Sequence, residues 1–304
     1  MTGGKVIAVV GPTASGKTKL AVNLAEKYNG EIISADSVSV YKRLDVGSAK
    51  PTEEEKRGVK HYMIDVAETV DDFSVSDYER LALPILRDIL SRGKIPIICG
   101  GTGFYVNSLI YELSYGGASA NLQIREKYED MAKREGKETV WLELKKIDEP
   151  TSKKLHPNDL VRVIRALEIY YSTGKRKSDI KDRLKPRFDC LTVTTCLPRE
   201  ILYQRINDRV DDMYKRGLEN EVRELISSGI SLEHQCMQGI GYKEVYAAII
   251  NGEPFPFEEI KQNSRRYAKR QITFFKKNNP VEYNPLIDGG YEKLCKIIDN
   301  FLNN

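Results

Sequence analysis

None of the five cysteines (Cys99, Cys190, Cys196, Cys236 and Cys295) belongs to a CxxC pair, and they are scattered along the 304 residues. That spacing excludes a zinc site and a disulfide framework, and leaves the reduced thiols expected of a cytosolic protein. No apolar run approaches a membrane span. Near the N-terminus only Val6 to Val10 is continuously apolar, too short for the core of a secretory signal. A soluble, cytoplasmic protein with no membrane contact is therefore expected. A large charge imbalance is missing too: 48 Lys+Arg against 44 Asp+Glu leave a formal charge of +4, so only the distribution of charge can point to a partner. There is no internal repeat and no low-complexity tract, which leaves out repeat architectures. The length fits one large domain or two, with two lobes as the working expectation.

What is present begins behind the run Val6 to Val10. Gly11, Pro12, Thr13, Ala14, Ser15, Gly16, Lys17 and Thr18 follow at once, and then a helical pattern carrying Leu20 and Leu24. Backbone N–H groups of such a loop wrap around phosphate oxygens, Lys17 neutralises their charge, and the Thr18 hydroxyl can bind Mg2+. Which phosphate compound is held is not specified by the loop. Strand-like runs "VIAVV", "EIISAD" and "IPIICGG" alternate with helical patterns at 17–28, 75–92 and 103–112. That rhythm predicts an α/β fold, a P-loop NTPase-like parallel sheet flanked by helices, whose ligands bind beyond the carboxyl ends of the strands. From 114 to 186 the character changes to "SYGGASAN", a hinge-like turn at Tyr115 to Ala120, and Lys/Glu-rich helices at 123–135, 138–146 and 151–155 with no good strand. This reads as an inserted all-helical lobe, leaving 1–113 and 187–304 as the core domain. "RFDCLTVTTCL" (187–197) restores a strand, and then come helices at 199–228 and 241–250, a basic helix at 257–277, a last strand "VEYNPLI" and a helix at 290–302.

Several residues could carry chemistry. Asp36, at the end of the second strand, is a turn or cap residue, a Mg2+ ligand or a general base, the last requiring a nucleophile within hydrogen-bond reach. "CGGTGFY" (99–105) puts Gly100 and Gly101 where backbone can approach a ligand, with the Thr102 hydroxyl at the mouth, although glycines here are also plain turn chemistry. No acidic residue ends this strand, which weakens an ATPase reading. In "HPNDLVRVIRALEIYY", Asn158 or Asp159 is the expected N-cap, and Arg162 and Arg165 lie three apart, either as a solvated face or as partners for phosphates. The 257–277 helix carries Lys261, Arg265, Arg266, Lys269, Arg270, Lys276 and Lys277 with no acid after Glu259, and Ile260, Tyr267, Phe274 and Phe275 as a core-facing stripe. A one-sided cationic helix on a nearly neutral protein suits a polyanion.

Taken in order, "GPTASGKT", "ISADSVSVYKRLDVGSAKP", "IPIICGGTGFY", "HPNDLVRVIRALE", "MQGIGYKE" and "YAKRQITFF" closely resemble the bacterial tRNA dimethylallyltransferases, over about residues 5 to 277. The resemblance implies transfer of a dimethylallyl group from dimethylallyl diphosphate to N6 of adenosine 37 in tRNAs that read codons beginning with U, with release of diphosphate. It implies that Gly11 to Thr18 hold the leaving diphosphate with Lys17 as charge clamp and Thr18 on Mg2+, and that Arg209 is a further diphosphate contact. Asp36 becomes the base toward the adenine amine, Ser37, Val38 and Ser39 line the place where the base enters, and Thr102 lies between nucleophile and leaving group. The tRNA anticodon stem-loop, with adenosine 37 flipped out, would meet Arg125, Val161, Arg162, Arg165, the turn Gln238, Gly239, Ile240, Gly241, Tyr242 and Lys243, and Arg270. A monomer is expected. The chain departs from the family pattern at Ser39 and Val161, where glutamines are usual, at Phe274, where tryptophan is, and at Lys276, where arginine is. Competing readings are a P-loop small-molecule or nucleotide kinase, an adenylate isopentenyltransferase acting on free nucleotide, and an RNA-binding module with a vestigial loop.

Overall fold

A computed structural model of the chain describes residues 4–117, 121–180 and 185–304. Its contacts divide the chain into two units, one formed by Met1–Tyr111 with Pro186–Asn304 and the other by Glu112–Lys185. Among the described residues no helix is long and apolar enough to cross a membrane.

The first unit is built on six strands: β1 (Lys5–Val10), β2 (Gly30–Ser34), β3 (His61–Tyr62), β4 (Ile95–Gly100), β5 (Asp189–Thr195) and β6 (Val281–Tyr283). They pair in the order β3-β2-β4-β1-β5-β6, all parallel. Ile7 stands in register with Ile97 on one side and Leu191 on the other, so β1 is central. A strand covered on both faces must be apolar throughout; Val6 to Val10 are fully buried. Val6, Ala8 and Val10 join the larger core with Tyr78, Leu86 and Leu109 of helices Val75–Ser91 and Gly103–Ile110. Ile7 and Val9 face Leu20 and Leu24 of helix Lys17–Lys27 and Leu294 and Ile298 of helix Gly290–Asn303.

Three elements differ from the sequence expectation. The single helix expected over 199–228 is two, Arg199–Lys215 and Leu218–Ser227, because Gly217 takes φ 90° and turns the chain. The last strand stops at Tyr283, two residues before Pro285, which has no N–H to offer a ladder. The two-residue β3, too short to show periodicity, pairs with Ile32 and Ile33.

In the second unit, helices Leu122–Glu135, Lys137–Ile147 and Leu160–Thr173 pack around Tyr128, Val140, Leu144, Val163 and Leu167. Gly136, at φ 92°, separates the first two. No good strand was expected over 114–186; Lys185–Pro186, at its end, pairs with Tyr111–Glu112 as a two-residue ladder where the chain departs and returns. Of the turn expected at 115–120, Tyr115–Gly117 is a tight turn whose three residues have φ 48°, 79° and 70°, and 118–120 lie outside the described residues.

Candidate active site

The loops after β1, β2 and β4 line a cavity of about 350 Å³, joined by Gln238, Gly239, Ile240, Lys243, Arg209 and the helix Phe257–Phe275. Motifs far apart in sequence thus meet in one place, within the first unit.

The phosphate loop owes its path to three left-handed or glycine-only positions. Gly11 has φ 140°, and a Cβ there would stand 2.7 Å from Thr195 Oγ1; Ala14 and Gly16 have φ 61° and 89°. Residues alternating into this region turn successive N–H groups toward one side, an anion-binding concavity. At two of the expected diphosphate contacts a backbone group already has a partner within the protein. The Thr13 N–H donates to Gln271 Oε1 at 2.9 Å, while the residue lines the cavity. Pro12 has no N–H, and its carbonyl accepts from Lys17 Nζ at 2.6 Å and Ser15 Oγ at 2.7 Å. The donors left for an anion run from Ala14 to Thr18, the last two at the N-terminus of helix Lys17–Lys27.

Asp36 fills the first of its three readings, that of a turn residue. Its Oδ1 accepts from the N–H groups of Val38 (2.9 Å) and Ser39 (3.1 Å), a turn that shapes 36–39, and its second oxygen remains for other work in the cavity. Thr102 Oγ1 accepts from the Ser37 N–H at 3.0 Å and donates to Ser37 Oγ at 3.3 Å, which locks the end of β4 to the end of β2. Ser37, Val38 and Ser39 all line the cavity. The glycines of "CGGTG" make room for neighbouring protein, and Gly100 and Gly101 line the cavity as well: a Cβ on Gly100, Gly101 or Gly103 would stand 2.1 Å from the Ala35 carbonyl, 2.1 Å from Gln271 Nε2 and 2.2 Å from the Phe274 ring.

Charge is one-sided. Lys17, Arg209, Lys243 and Arg270 line the cavity against the single carboxylate of Asp36. Burial pushes the Lys17 ammonium down to about 8, and the neighbouring Arg209 adds to that. Burial likewise lowers Arg209, whose Nη2 donates to the Ser48 carbonyl at 3.3 Å. Cations depressed by burial and by a neighbouring cation are stabilised by an incoming anion. Arg270 lies 5.6 Å over the Tyr267 ring; burial and the nearby Asp36 carboxylate raise the Tyr267 hydroxyl to about 12, with Thr102, Arg270 and Gln271 acting the other way.

Gln238, Gly239, Ile240 and Lys243 also line the cavity. Tyr242, expected to touch RNA, does not: it is fully buried, donates to Glu221 Oε1 at 2.7 Å, and packs on Gly47, where a Cβ would be 2.5 Å from its ring. Gly241 (φ 98°) opens the following helix and donates to Glu244. The insertion residues form their own cluster. Arg125 and Arg165, expected on RNA, both bond the fully buried Glu168, which also accepts from the Asn121 N–H. Arg165 also donates to the Tyr115 carbonyl at 2.7 Å. Arg162 pairs only loosely with Asp159 (3.3 Å), and Val161 is 81% exposed. On the basic helix, Lys261 pairs with Asp211 and Arg265 donates to Asn207, whereas Arg266, Lys269, Lys276 and Lys277 are exposed with no carboxylate in ion-pair range among the described residues.

Sequence reasoning missed Gln271 and Glu221. Glu221 accepts from the N–H groups of Asp45, Val46 and Gly47 as well as from Tyr242, and so holds the loop whose Ser48 carbonyl binds Arg209. A glutamine on the stripe side of a cationic helix was the one visible signal for Gln271.

A family model described as IPP transferase matches residues 39–278. A tRNA dimethylallyltransferase of Thermoanaerobacter sp. (strain X514) is 45% identical over 98% of this chain and 97% of that protein. One of Acetivibrio thermocellus is 46% identical over 90% and 88%. Among solved structures, the tRNA isopentenylpyrophosphate transferase of Bacillus halodurans superimposes with a TM-score of 0.73 at 39% identity, covering 98% and 97% of the two chains. A eukaryotic dimethylallyltransferase acting on tRNA gives 0.83 at 30%, covering 97% and 78%. With its phosphate loop, Asp36 and basic helix around one cavity and this similarity along nearly its whole length, the chain belongs to the IPP transferase family.

Proposed function

We propose that the protein is a tRNA dimethylallyltransferase: it moves the dimethylallyl group of dimethylallyl diphosphate to N6 of adenosine 37 in tRNAs reading codons that begin with U. The observation that carries this reading is the charge pattern of the cavity, four cations around a phosphate loop facing one carboxylate with a free oxygen. A diphosphate is held by the N–H groups of Ala14 to Thr18 with Lys17 and Arg209. The adenine amine attacks the allylic carbon, the C–N bond forms as the C–O bond breaks, the electron pair leaves on the diphosphate, and the amine proton passes to Asp36. Fixed donors aimed at the leaving oxygens act where charge grows, without reorganising. The Thr18 hydroxyl, exposed at the cavity, is a hard oxygen donor that suits Mg2+, and that ion would add charge neutralisation on the phosphates when bound. Exposed Arg266, Lys269 and Lys276 supply the backbone contacts for a tRNA anticodon stem-loop.

The test is a mass-spectrometric assay on an anticodon stem-loop RNA with adenosines at 36, 37 and 38, incubated with protein, Mg2+ and dimethylallyl diphosphate. A dimethylallyl gain on adenosine 37 is expected. No gain on this RNA or on whole tRNA, together with phosphate transfer from ATP, would turn the reading to a kinase.

A further inference from the structure

Gln271 is a buried polar side chain on the helix Phe257–Phe275, and both ends of its amide are used. Oε1 accepts from the Thr13 N–H at 2.9 Å, and Nε2 donates to the Gly101 carbonyl at 3.1 Å. The partners fix that orientation, because one is only a donor and the other only an acceptor. The fit leaves no slack: a Cβ on Gly101 would stand 2.1 Å from Nε2. The amide thus ties the loop after β1 to the end of β4.

We propose that Gln271 is a positioning residue for the diphosphate site, an inference that rests on the loop being a diphosphate holder. By taking the Thr13 N–H it turns that peptide out of the concavity and keeps Ala14 to Thr18 in their anion-binding form. Without it the Thr13 peptide is free to rotate, the binding form is one of several, and apparent affinity falls by the fraction of time that form is absent.

Calorimetric titration of the full chain with inorganic pyrophosphate and Mg2+ reads this without any transfer step. Gln271→Met keeps most of the volume and removes both polar ends. Its pyrophosphate affinity is expected to fall about tenfold, or about 1.4 kcal/mol, with stem-loop RNA affinity changed less than about twofold. Gly101→Ala displaces the amide while leaving Gln271 in place, and is expected to reproduce the loss; it decides alone if Gln271→Met does not fold. Folded variants that bind pyrophosphate like the unaltered chain overturn the proposal. Equal losses for pyrophosphate and RNA also overturn it, since they mark general loosening. An unaltered chain that does not bind pyrophosphate overturns the reading of the loop instead.

Discussion

Asp36 has two jobs on its two oxygens, and a single substitution separates them. Asn at this position keeps an oxygen for the Val38 and Ser39 N–H groups but cannot accept a proton. Asp36→Asn is therefore expected to lower kcat by about 10²–10⁴-fold, the usual range for a general base, with little change in melting temperature; single-turnover assays beside thermal melts check both. Lys17 gives a pH test. With its ammonium near 8, the binding form is fully charged below that pH and is lost above it. Affinity for an unreactive alkyl diphosphate is expected to be flat from pH 6.5 to 7.5 and then to fall by up to about tenfold per pH unit above 8. A flat profile to pH 9.5 would mean the lysine is not buried in this way. That Lys17, Thr18 and Asp36 would lie at strand ends around one cavity was legible in the sequence, because each sits next to a strand end that its own neighbours announce. Gln271 and Glu221 were not, because their partners, Thr13 and Gly101 for one and residues 45–47 and Tyr242 for the other, are adjacent only after folding. Tyr242 was misplaced for the same reason: nothing local says that its ring faces Gly47 and not solvent.

At the scale of elements, the helix Phe257–Phe275 has two working sides. Inward, Tyr267 and Gln271 meet the cavity, and outward, Arg266 and Lys269 stand without acidic partners among the described residues. Replacing Lys269 and Lys276 together by Ala is expected to weaken stem-loop binding and to reduce its logarithmic salt dependence by about one for each phosphate that is no longer neutralised; titrations at several salt concentrations check it. An unchanged slope would place the RNA elsewhere. The sequence placed this helix correctly, since its apolar stripe and its charge agree. It overstated the one-sidedness, because Lys261 and Arg265 are tied to Asp211 and Asn207. It also ran one helix across 199–228, where apolar spacing continues but backbone geometry does not. Gly217→Ala puts a Cβ at φ 90° and is expected to cost about 1–2 kcal/mol of stability by urea denaturation.

For the molecule as a whole, the two units hold together by different means. The second is organised around Glu168, fully buried between Arg125 and Arg165. Burial alone would raise its carboxyl, but the two guanidinium groups and the Asn121 N–H outweigh that and hold it below the ordinary value. Its stabilisation is present above the carboxylate range and is lost as pH falls below about 4.5, where the unfolded carboxyl protonates first. Glu168→Gln is expected to destabilise this unit by about 2 kcal/mol at pH 7, short of the value for fully buried pairs because both arginines can turn to water, and to flatten that acid loss; hydrogen exchange over 122–173 at pH 7 and pH 4 reads both. The first unit depends on the sheet. Its alternating strands and helices were legible, yet the strand order was not, because β1 takes neighbours from much later in the chain. Ile7 meets Ile97 and Leu191. During synthesis, then, the first strand to leave the ribosome waits unpaired on one side until β4 has emerged and on the other until β5 has. The phosphate loop at its end cannot take its final form before Thr195, which touches Ser15, is made. Stalled nascent chains ending near residue 150 should resist protease poorly over residues 5–34, and chains long enough to expose Thr195 should resist it well.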